Sequence, residues 1–354
     1  MADDAGAPAS HVKPCYAELV AGRTYLWCAC GRSRTQPFCD GSHRGTIFRP
    51  LPYTATADEE VLFCACKETR TPPFCDGTHN NLSTTYEQDD PDSPANRAIP
   101  AITAGWGGKA RLDGGCTVCS IDDASLEIRG VIRHRQIIGA DDGALHQSLF
   151  YLECGRGSSP VAGFGDRHVI LFVTSGQGRI VIGRRVFAVE ANTGIHVRPG
   201  EGFRLENDGS EPLHVFAAAC PRADVISWGD TMPDRFEDRF PQRTVTLDPA
   251  ARQRIGDRFF QMLVDKTIGS DVVTQFIGDI PQSKAMPHRH LYEESLIVLS
   301  GEGWMWTERL KARVRTGDTI FLPRKQVHSL ECTAPGGMLV VGVIYPGDNP
   351  SINY

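Results

Sequence analysis

Short apolar runs, separated by Gly, Asp and Pro, dominate the chain from about residue 130 to its end. Residues 169–173, 296–299 and 338–343 are typical, and each run is the length of a strand. Strands at this spacing, with turn residues between them, are typical of a sandwich or a barrel. The pattern therefore predicts a mostly β protein, and only residues 248–254 are predicted to be helical.

Composition and charge narrow the class of protein. A chain of 354 residues predicts two or three domains. The net charge of −6 without a basic cluster argues against a nucleic-acid partner. No apolar run approaches the ~18 residues of a membrane helix. Residues 1–10 lack the apolar segment of a secretory signal and the Arg of a transit peptide, so we expect a cytoplasmic protein with reduced cysteines.

Six of the twelve cysteines form an internal repeat with two histidines. The offsets are identical in the first set (Cys28, Cys30, Cys39, His43) and in the second set (Cys64, Cys66, Cys75, His79). Soft thiolates in a cytosolic chain suit zinc or an iron–sulfur cluster. A closed tetrahedral zinc site also accepts three Cys and one His, although zinc ribbons usually pair cysteines two to four residues apart.

Both copies match the pattern C-x-C-x2-[S/T]-x3-P-x-C-D-G-[S/T]-H, and residues 14–82 therefore resemble the CDGSH iron–sulfur (mitoNEET-like) family. The resemblance implies that each set of three Cys and one His holds a [2Fe–2S] cluster, two clusters in all. Each copy of ~36 residues is too small to bury a core alone. We therefore expect the copies to pack together, with residues 25–28 pairing with 61–64 across a pseudo-two-fold axis.

The predicted boundaries follow changes in composition. A tandem CDGSH domain occupies residues 1–82, and a polar, acidic, Pro-bearing linker follows over 83–105. Two barrels are predicted beyond it, over 106–228 and 229–354.

The last predicted barrel carries a metal-binding pattern. His288, His290 and Glu294 have even numbers, so one strand would place them on a single face. His328 follows a glycine-bounded segment. Three imidazoles and a carboxylate inside a barrel suit Fe(II), Mn(II), Ni(II) or Zn(II) with open positions. The alternative is a set of unconnected core or surface histidines.

This segment resembles the cupin family, whose motifs are G-x5-H-x-H-x3-4-E-x6-G and G-x5-P-x-G-x2-H-x3-N. The resemblance implies that His288, His290, Glu294 and His328 are both the metal ligands and the catalytic residues. Three other motif positions differ, because Gln282, Lys325 and Cys332 replace Gly, Gly and Asn. Neighbouring Glu293 is expected on the opposite strand face.

Residues 130–222 resemble a second cupin barrel without a metal site. Four residues occupy the matching ligand positions (Gly163, Gly165, Val169, Arg204), and two nearby histidines are expected to be ordinary barrel residues (His168, His196). The architecture implied is a bicupin with one metal-binding barrel.

Cys116 and Cys119 form a C-x-x-C pair, for which a structural role is favoured over a redox role.

The combination of two cluster-binding repeats with one metal-binding barrel predicts a non-haem iron oxygenase or oxidase that acts on a small polar metabolite with O₂. The CDGSH clusters would deliver electrons from an external reductase or ferredoxin to the mononuclear iron. Candidate substrate-facing residues are Tyr292, Trp304, Trp306, Arg289 and Lys325. One alternative is a self-sufficient dioxygenase or isomerase with the CDGSH domain as a redox or iron sensor or a structural module, and another is a non-catalytic sensor. No nucleic-acid or membrane partner is expected, and a homodimer stays open.

Overall fold

A computed structural model describes residues 13–82, 87–105, 108–121, 126–222, 225–255 and 257–354. Within these ranges the regular structure is almost entirely β, as predicted. One α-helix of a single turn accompanies the strands, and no helix there is long and apolar enough to span a bilayer.

The two cysteine repeats form one small unit with exchanged strands. Its strands are β1 (Cys15–Leu19), β2 (Thr24–Trp27), β3 (Leu51–Thr54) and β4 (Glu59–Phe63). β1 pairs with β4 and β2 with β3, both antiparallel. The predicted pairing of 25–28 with 61–64 is therefore wrong, because each of these strands pairs with the first strand of the other repeat. This exchange lets Trp27 and Phe63 share one core, which neither repeat could bury alone.

Residues 87–121 form a chain of short elements. They are β5 (Gln88–Asp89), α1 (Pro94–Arg97), β6 (Ala101–Ile102), β7 (Lys109–Arg111) and β8 (Thr117–Cys119). Ser93 caps α1 by accepting a hydrogen bond from the backbone N–H of Asn96, and Pro94 occupies its first turn.

The first barrel is built from two antiparallel sheets. Its strands are β9 (Glu127–Arg129), β10 (Ile132–Ile138), β11 (Ser148–Cys154), β12 (Gly157–Ser158), β13 (Val161–Gly163), β14 (His168–Ser175), β15 (Gln177–Ile182), β16 (Arg185–Glu190), β17 (Thr193–Val197), β18 (Gly202–Asn207), β19 (Leu213–Cys220), β20 (Ser227–Gly229) and β21 (Thr244–Thr246). One sheet has the order β21-β17-β14-β19-β11-β10-β9 and the other β16-β15-β18-β13-β20, with β12 also on β18. Phe164, Leu171 and Phe203 belong to the apolar core between them.

The second barrel has the same two-sheet plan. Its strands are β22 (Gln253–Ile255), β23 (Arg258–Val264), β24 (Thr274–Ile280), β25 (Ser283–Ala285), β26 (Glu293–Ser300), β27 (Glu302–Trp306), β28 (Lys311–Arg315), β29 (Thr319–Leu322), β30 (Ser329–Cys332) and β31 (Met338–Tyr345). The sheet orders are β22-β23-β24-β31-β26-β29-β8-β7 and β5-β25-β30-β27-β28-β6.

Short 3-10 turns connect several strands. They cover Thr78–Asn81, Asp113–Gly115, Ala140–Asp142, Pro249–Ala251 and Lys266–Ile268. The helix predicted over 248–254 is only one of these turns followed by β22. Asp248 accepts a hydrogen bond from the backbone N–H of Ala250 and starts the turn.

The sheets correct the predicted domain boundaries. β5 and β6 lie in the second barrel's sheet, so the described part of 83–105 is structural rather than a solvated linker. Its acidic character has a local reason, because Asp89 forms an ion pair with the buried amine of Lys284. β7 and β8 also extend the second barrel although they precede the first one in sequence, whereas β21 extends the first. These exchanged strands lengthen the sheets at their edges.

Glu293 ties the two barrels together from the start of β26. Its carboxylate accepts hydrogen bonds from the backbone N–H groups of Leu145 (2.8 Å) and His146 (2.9 Å). The amide of Gln147 donates to the Glu293 carbonyl at 2.7 Å. Glu293 therefore points away from the second barrel's interior, as expected from its strand position.

Candidate metal centres

Three of the four predicted barrel ligands converge. The ligand atoms of His290, Glu294 and His328 all lie within 4.8 Å of one another, and all three residues are buried. Among the described residues this is the one cluster of three or more His, Cys, Asp or Glu at that spacing.

Backbone carbonyls orient the three histidines of this region in the same way. Nδ1 of His288 lies 2.8 Å from the Met286 carbonyl, and Nδ1 of His328 lies 2.8 Å from the Gln326 carbonyl. His290 makes the same contact with the carbonyl of Tyr292 at 2.8 Å. A hydrogen on Nδ1 leaves Nε2 as the lone-pair nitrogen, which is the form that ligates a metal.

The electrostatics of the cluster also suit a cation. Burial lowers the pKa of His288 to about 3 and lowers the pKa of His328 well below its ordinary value, so both rings are neutral near pH 7. The buried Nε2 of His290 makes no hydrogen bond, although it lies only 3.0 Å from the Glu294 carboxylate. An unpaired buried nitrogen is costly, and a metal ion between these atoms would satisfy it.

His288 lies beside the cluster rather than within it. The prediction that one strand carries His288, His290 and Glu294 is wrong, because β26 begins only at Glu293. His288 instead forms an isolated β-bridge with His328, and their ring centroids are 4.5 Å apart.

A cavity of about 140 Å³ opens onto these residues, and we call it the barrel cavity. Besides His288, His290, Glu294 and His328, its lining is mainly apolar and includes Phe260, Phe276, Leu296, Met305, Leu330 and Val340. The lining also contains the charged side chains of Arg258 and Asp279. The Arg258 guanidinium donates a hydrogen bond to the Ser283 hydroxyl at 3.1 Å, and Asp279 forms an ion pair with Arg252 at 3.4 Å.

Of the predicted substrate-facing residues, Tyr292 lines the barrel cavity and the others do not. Trp306 donates to the Glu331 carboxylate, and Trp304 lies near Lys311. Arg289 stacks over the ring of Tyr354. The sequence could not show that these side chains contact partners outside the barrel cavity.

Each cysteine repeat places its ligands in two close pairs. The Sγ–Sγ distance is 3.7 Å for Cys28–Cys30 and 3.5 Å for Cys64–Cys66. The Sγ–Nδ1 distance is 3.2 Å for Cys39–His43. Cys75 and His79 are 3.4 Å apart in the same way.

The signature residues around the ligands hold the loops in shape. Ser33 and Thr69 donate their hydroxyl hydrogens to the backbone five residues ahead, at 2.5 and 2.7 Å. Asp40 and Asp76 each accept a hydrogen bond at 3.0 Å from the backbone N–H two residues later. Hydrogen bonds from Ser42 and from the Arg34 backbone hold the pKa of Asp40 well below its ordinary value.

The CDGSH domain is attached to the second barrel at several points, and the last residues of the chain provide two of them. Asn80 donates to the Ser351 carbonyl at 2.7 Å, and the ring of Tyr16 stacks on Tyr354 with centroids 5.5 Å apart. Glu60 forms ion pairs with Arg324 and Lys325. Lys325 replaces a motif glycine and keeps its left-handed backbone at φ 64°, so this departure provides a cation for the contact.

An interface cavity separates the second repeat from the barrel. Its lining includes Phe74 and Cys75 from the repeat, and Leu291, Tyr292 and Arg324 from the barrel. Tyr292 also lines the barrel cavity, and its ring lies parallel to that of His290 at 3.9 Å between centroids. The side chain of Tyr292 therefore contacts a candidate metal ligand and also lines the cavity that Cys75 lines, which spacing in the sequence could not show.

The first barrel has no comparable cluster among the described residues. Val169 is buried in the apolar core, and Arg204 forms an ion pair with Glu206. His168 and His196 stack on each other, with Nδ1 and Nε2 2.9 Å apart.

Cys116 and Cys119 belong to different apolar cores and form no disulfide. Burial raises the pKa of both thiols. A buried neutral thiol is a poor redox nucleophile, which agrees with the structural role favoured from the sequence.

Family models match three parts of the chain. The iron-binding zinc finger CDGSH type matches residues 9–44, the AraC-like ligand binding domain matches 151–266, and the cupin domain matches 278–344. The chain is a CDGSH domain followed by two cupin-fold barrels. The CDGSH domain implies an iron–sulfur cluster, and the cupin fold implies a metal.

A curated relative supports the CDGSH assignment. The human mitochondrial CDGSH iron-sulfur domain-containing protein 3 is 59% identical over 44 residues, which are 12% of this chain and 35% of that protein. The chain thus spans about a third of the length of the curated relatives that it matches.

Solved structures support the cupin barrels. Protein Ylba from E. coli has a TM-score of 0.53 at 14% identity, covering 68% of this chain and 95% of its own. Oxalate decarboxylase from Lactobacillus farciminis has a TM-score of 0.51 at 10% identity, covering 66% and 87%. Salicylate 1,2-dioxygenase from Pseudoaminobacter salicylatoxidans has a TM-score of 0.50 at 12% identity, covering 63% and 76%. At these identities the likeness concerns the fold alone.

Proposed function

We propose that this protein is a non-haem iron oxygenase or oxidase whose CDGSH domain supplies electrons to the second cupin barrel. The observation that carries the proposal is the position of Tyr292. Its side chain lines the interface cavity together with Cys75, and its ring stacks on His290. If the CDGSH domain had only a structural role, the loop that carries Cys75 would not need to face the cavity that Tyr292 lines.

The donor sets fit the groups that the two folds imply. His290, Glu294 and His328, with His288 beside them, would hold a mononuclear metal, for which iron is proposed and Mn, Ni or Zn are alternatives. When bound, the clusters would supply single electrons and the barrel metal would supply open coordination positions for O₂ and substrate.

The geometry of the repeats favours clusters over zinc. Four ligands of one tetrahedral zinc ion lie within about 4 Å of one another, since Zn–S bonds measure about 2.3 Å. In neither repeat, both of which fall in the described residues, do three ligand atoms come within 4.8 Å of one another. Two close pairs set apart suit two metal ions, so we propose a [2Fe–2S] cluster in each repeat.

The barrel cavity supports a change in the proposed substrate. An apolar lining excludes water and binds an apolar body, whereas Arg258 is suited to a carboxylate. We therefore propose a small organic acid with an apolar body in place of a freely polar metabolite.

A regulatory role for the CDGSH domain is the second candidate. The contacts of Asn80 with Ser351 and of Glu60 with Arg324 couple that domain to the barrel mechanically. In that case the barrel would be a self-sufficient dioxygenase or isomerase, and the repeats would sense redox state or iron.

Oxygen uptake distinguishes the candidates. The full chain, reconstituted with iron and sulfide, is offered a panel of small aromatic and aliphatic carboxylic acids with O₂. Uptake that needs reduced ferredoxin, and that is lost in Cys64→Ser/Cys66→Ser, supports electron supply. Equal uptake without any reductant supports the self-sufficient enzyme, and acid binding without uptake supports a sensor.

A further inference from the structure

The two CDGSH repeats are equivalent in sequence but not in surroundings. Gly41 and Gly77 occupy the same place in the two ligand loops, with φ of 92° and 84°. A Cβ added at Gly41 would meet nothing within 4 Å, whereas one at Gly77 would lie 2.4 Å from the Ser351 hydroxyl. The second loop is thus covered by the barrel, and the first loop is open.

Exposed charge also differs between the loops. Residues 31–46 carry three exposed arginines, Arg32, Arg34 and Arg44, against one acidic residue, Asp40. We call these three the arginine collar. In the equivalent residues 67–82, two cations are balanced by two acidic residues. The collar stands out in a chain whose net charge is −6.

The collar lies next to the ligands of the first repeat. The backbone N–H of Arg32 lies 3.5 Å from Cys30 Sγ, and Arg44 directly follows His43. The side chain of Arg34 is 93% exposed, and its nearest acidic partner, Asp40, is 3.9 Å away. Its counterpart Arg70 instead donates to Asp76 at 3.2 Å.

We propose that the first CDGSH repeat is the docking site for an acidic one-electron carrier protein, and that the arginine collar recognises it. The inference rests on the proposed electron supply and assigns its entry point. One electron passes from the reduced carrier to the first repeat, so that the carrier is oxidised by one electron and no bond or proton is exchanged. Charge complementarity would steer the carrier onto the open loop.

The arrangement gives the two repeats different roles. A carrier protein cannot approach the second loop as it can the first, because the chain's last residues cover Gly77. The first repeat is accessible but is not the repeat that lines the interface cavity. The tandem therefore presents one loop to the outside and one to the barrel.

The test compares a protein reductant with a small one. Full-length protein with both clusters is mixed anaerobically with a reduced, acidic plant-type [2Fe–2S] ferredoxin, and cluster reduction is followed by absorbance. The collar variant is Arg32→Gln/Arg34→Gln/Arg44→Gln. The control variant, Arg184→Gln/Arg185→Gln/Arg313→Gln, removes the same charge from exposed arginines of the barrels.

We expect the collar variant to react about tenfold more slowly with ferredoxin at low ionic strength and to lose most of the salt dependence. The control variant should behave as wild type, and dithionite should reduce all three proteins equally. A collar variant as fast as wild type, or a control variant slowed equally, would overturn the docking site. The docking site would also be overturned if a single-stranded oligonucleotide inhibited cluster reduction by ferredoxin while the collar substitutions left that reduction unchanged. Failure of electron supply to the barrel is separate, because it would leave cluster reduction by ferredoxin intact.

Discussion

The ring of Tyr292 lies parallel to the ring of His290, with centroids 3.9 Å apart and planes 12° from each other. The Tyr292 carbonyl also accepts the hydrogen bond that orients His290. The backbone of one residue therefore sets the tautomer of a candidate metal ligand, while its side chain lines the interface cavity next to the CDGSH domain.

Removing this ring should slow electron supply without removing the metal. We expect Tyr292→Leu to slow reduction of the barrel iron about tenfold, as for other residues that support a metal ligand. Tyr292→Phe keeps the stacked ring and is the matched control. Rapid-freeze EPR measures the rate, and metal analysis should return the same iron in all three proteins. Equal rates for the Leu and Phe variants would exclude the ring from the route.

The paired glycines allow a test of the docked second repeat. Gly41→Ala and Gly77→Ala impose a similar backbone strain, because both positions have positive φ. Only Gly77→Ala also collides with Ser351, which should cost about 1–2 kcal/mol more. The rate of cluster release from the second repeat reports this difference, and Ser351→Ala should partly restore it. Identical release in the two glycine variants would contradict the observed packing.

Glu293 and Glu294 are adjacent but have opposite expected effects. Glu294→Ala should abolish metal binding in the second barrel, because it removes one of the three converging ligands. Glu293→Ala should keep the metal but lower the free energy of unfolding by about 2 kcal/mol, since two backbone N–H groups lose their acceptor. Metal analysis and urea unfolding separate the two effects. Metal loss in Glu293→Ala alone would show that the ligand assignment is reversed.

His196 should make the first barrel sensitive to acid. Burial, followed by the charge of His168, lowers its pKa to about 3, and Arg198 and Arg243 act in the same direction, whereas a hydrogen bond to the Ile268 carbonyl opposes them. The folded ring stays neutral while the unfolded ring takes up a proton below pH ~6.5. Its stability contribution is therefore complete above pH ~6.5 and is lost as the pH falls towards the folded pKa.

The matching variant is His196→Gln, which removes the titration. Between pH 6.5 and 4.5 wild type should lose about 2 kcal/mol more of its unfolding free energy than the variant. Urea unfolding at a series of pH values measures the difference. Parallel pH profiles would mean that the buried ring does not control acid stability.

The sequence predicted the β architecture and the ligands better than the connections between units. Equal offsets predicted eight candidate cluster ligands, and the structure brings them together in pairs because each loop is local. His290, Glu294 and His328 also followed from motif spacing. The exchanged β7 and β8 could not be predicted, because edge pairing depends on which distant sheet has a free side. The prediction of a solvated linker over 83–105 was wrong for a related reason, because Asp89 forms an ion pair with the buried Lys284, which lies far along the chain.

The contacts between the CDGSH domain and the second barrel could not be predicted either. Lys325 looked like a departure from a glycine motif, yet its cation pairs with Glu60 of the CDGSH domain. The strand-face argument for His288 failed because the chain bends before β26, and no local pattern marks that bend. Trp304 and Trp306 look substrate-facing only while their partners Lys311 and Glu331 are unknown.

Single-turnover EPR of the full chain tests the electron supply most directly. The barrel iron is prepared in its ferric state, the clusters are reduced under anaerobic conditions, and samples are frozen at successive times. The account predicts that the high-spin ferric signal disappears while the reduced-cluster signal falls from two electrons per chain to one, and that the ferric signal of Cys64→Ser/Cys66→Ser persists. A ferric signal that stays constant in the wild-type protein while its clusters remain reduced would contradict it.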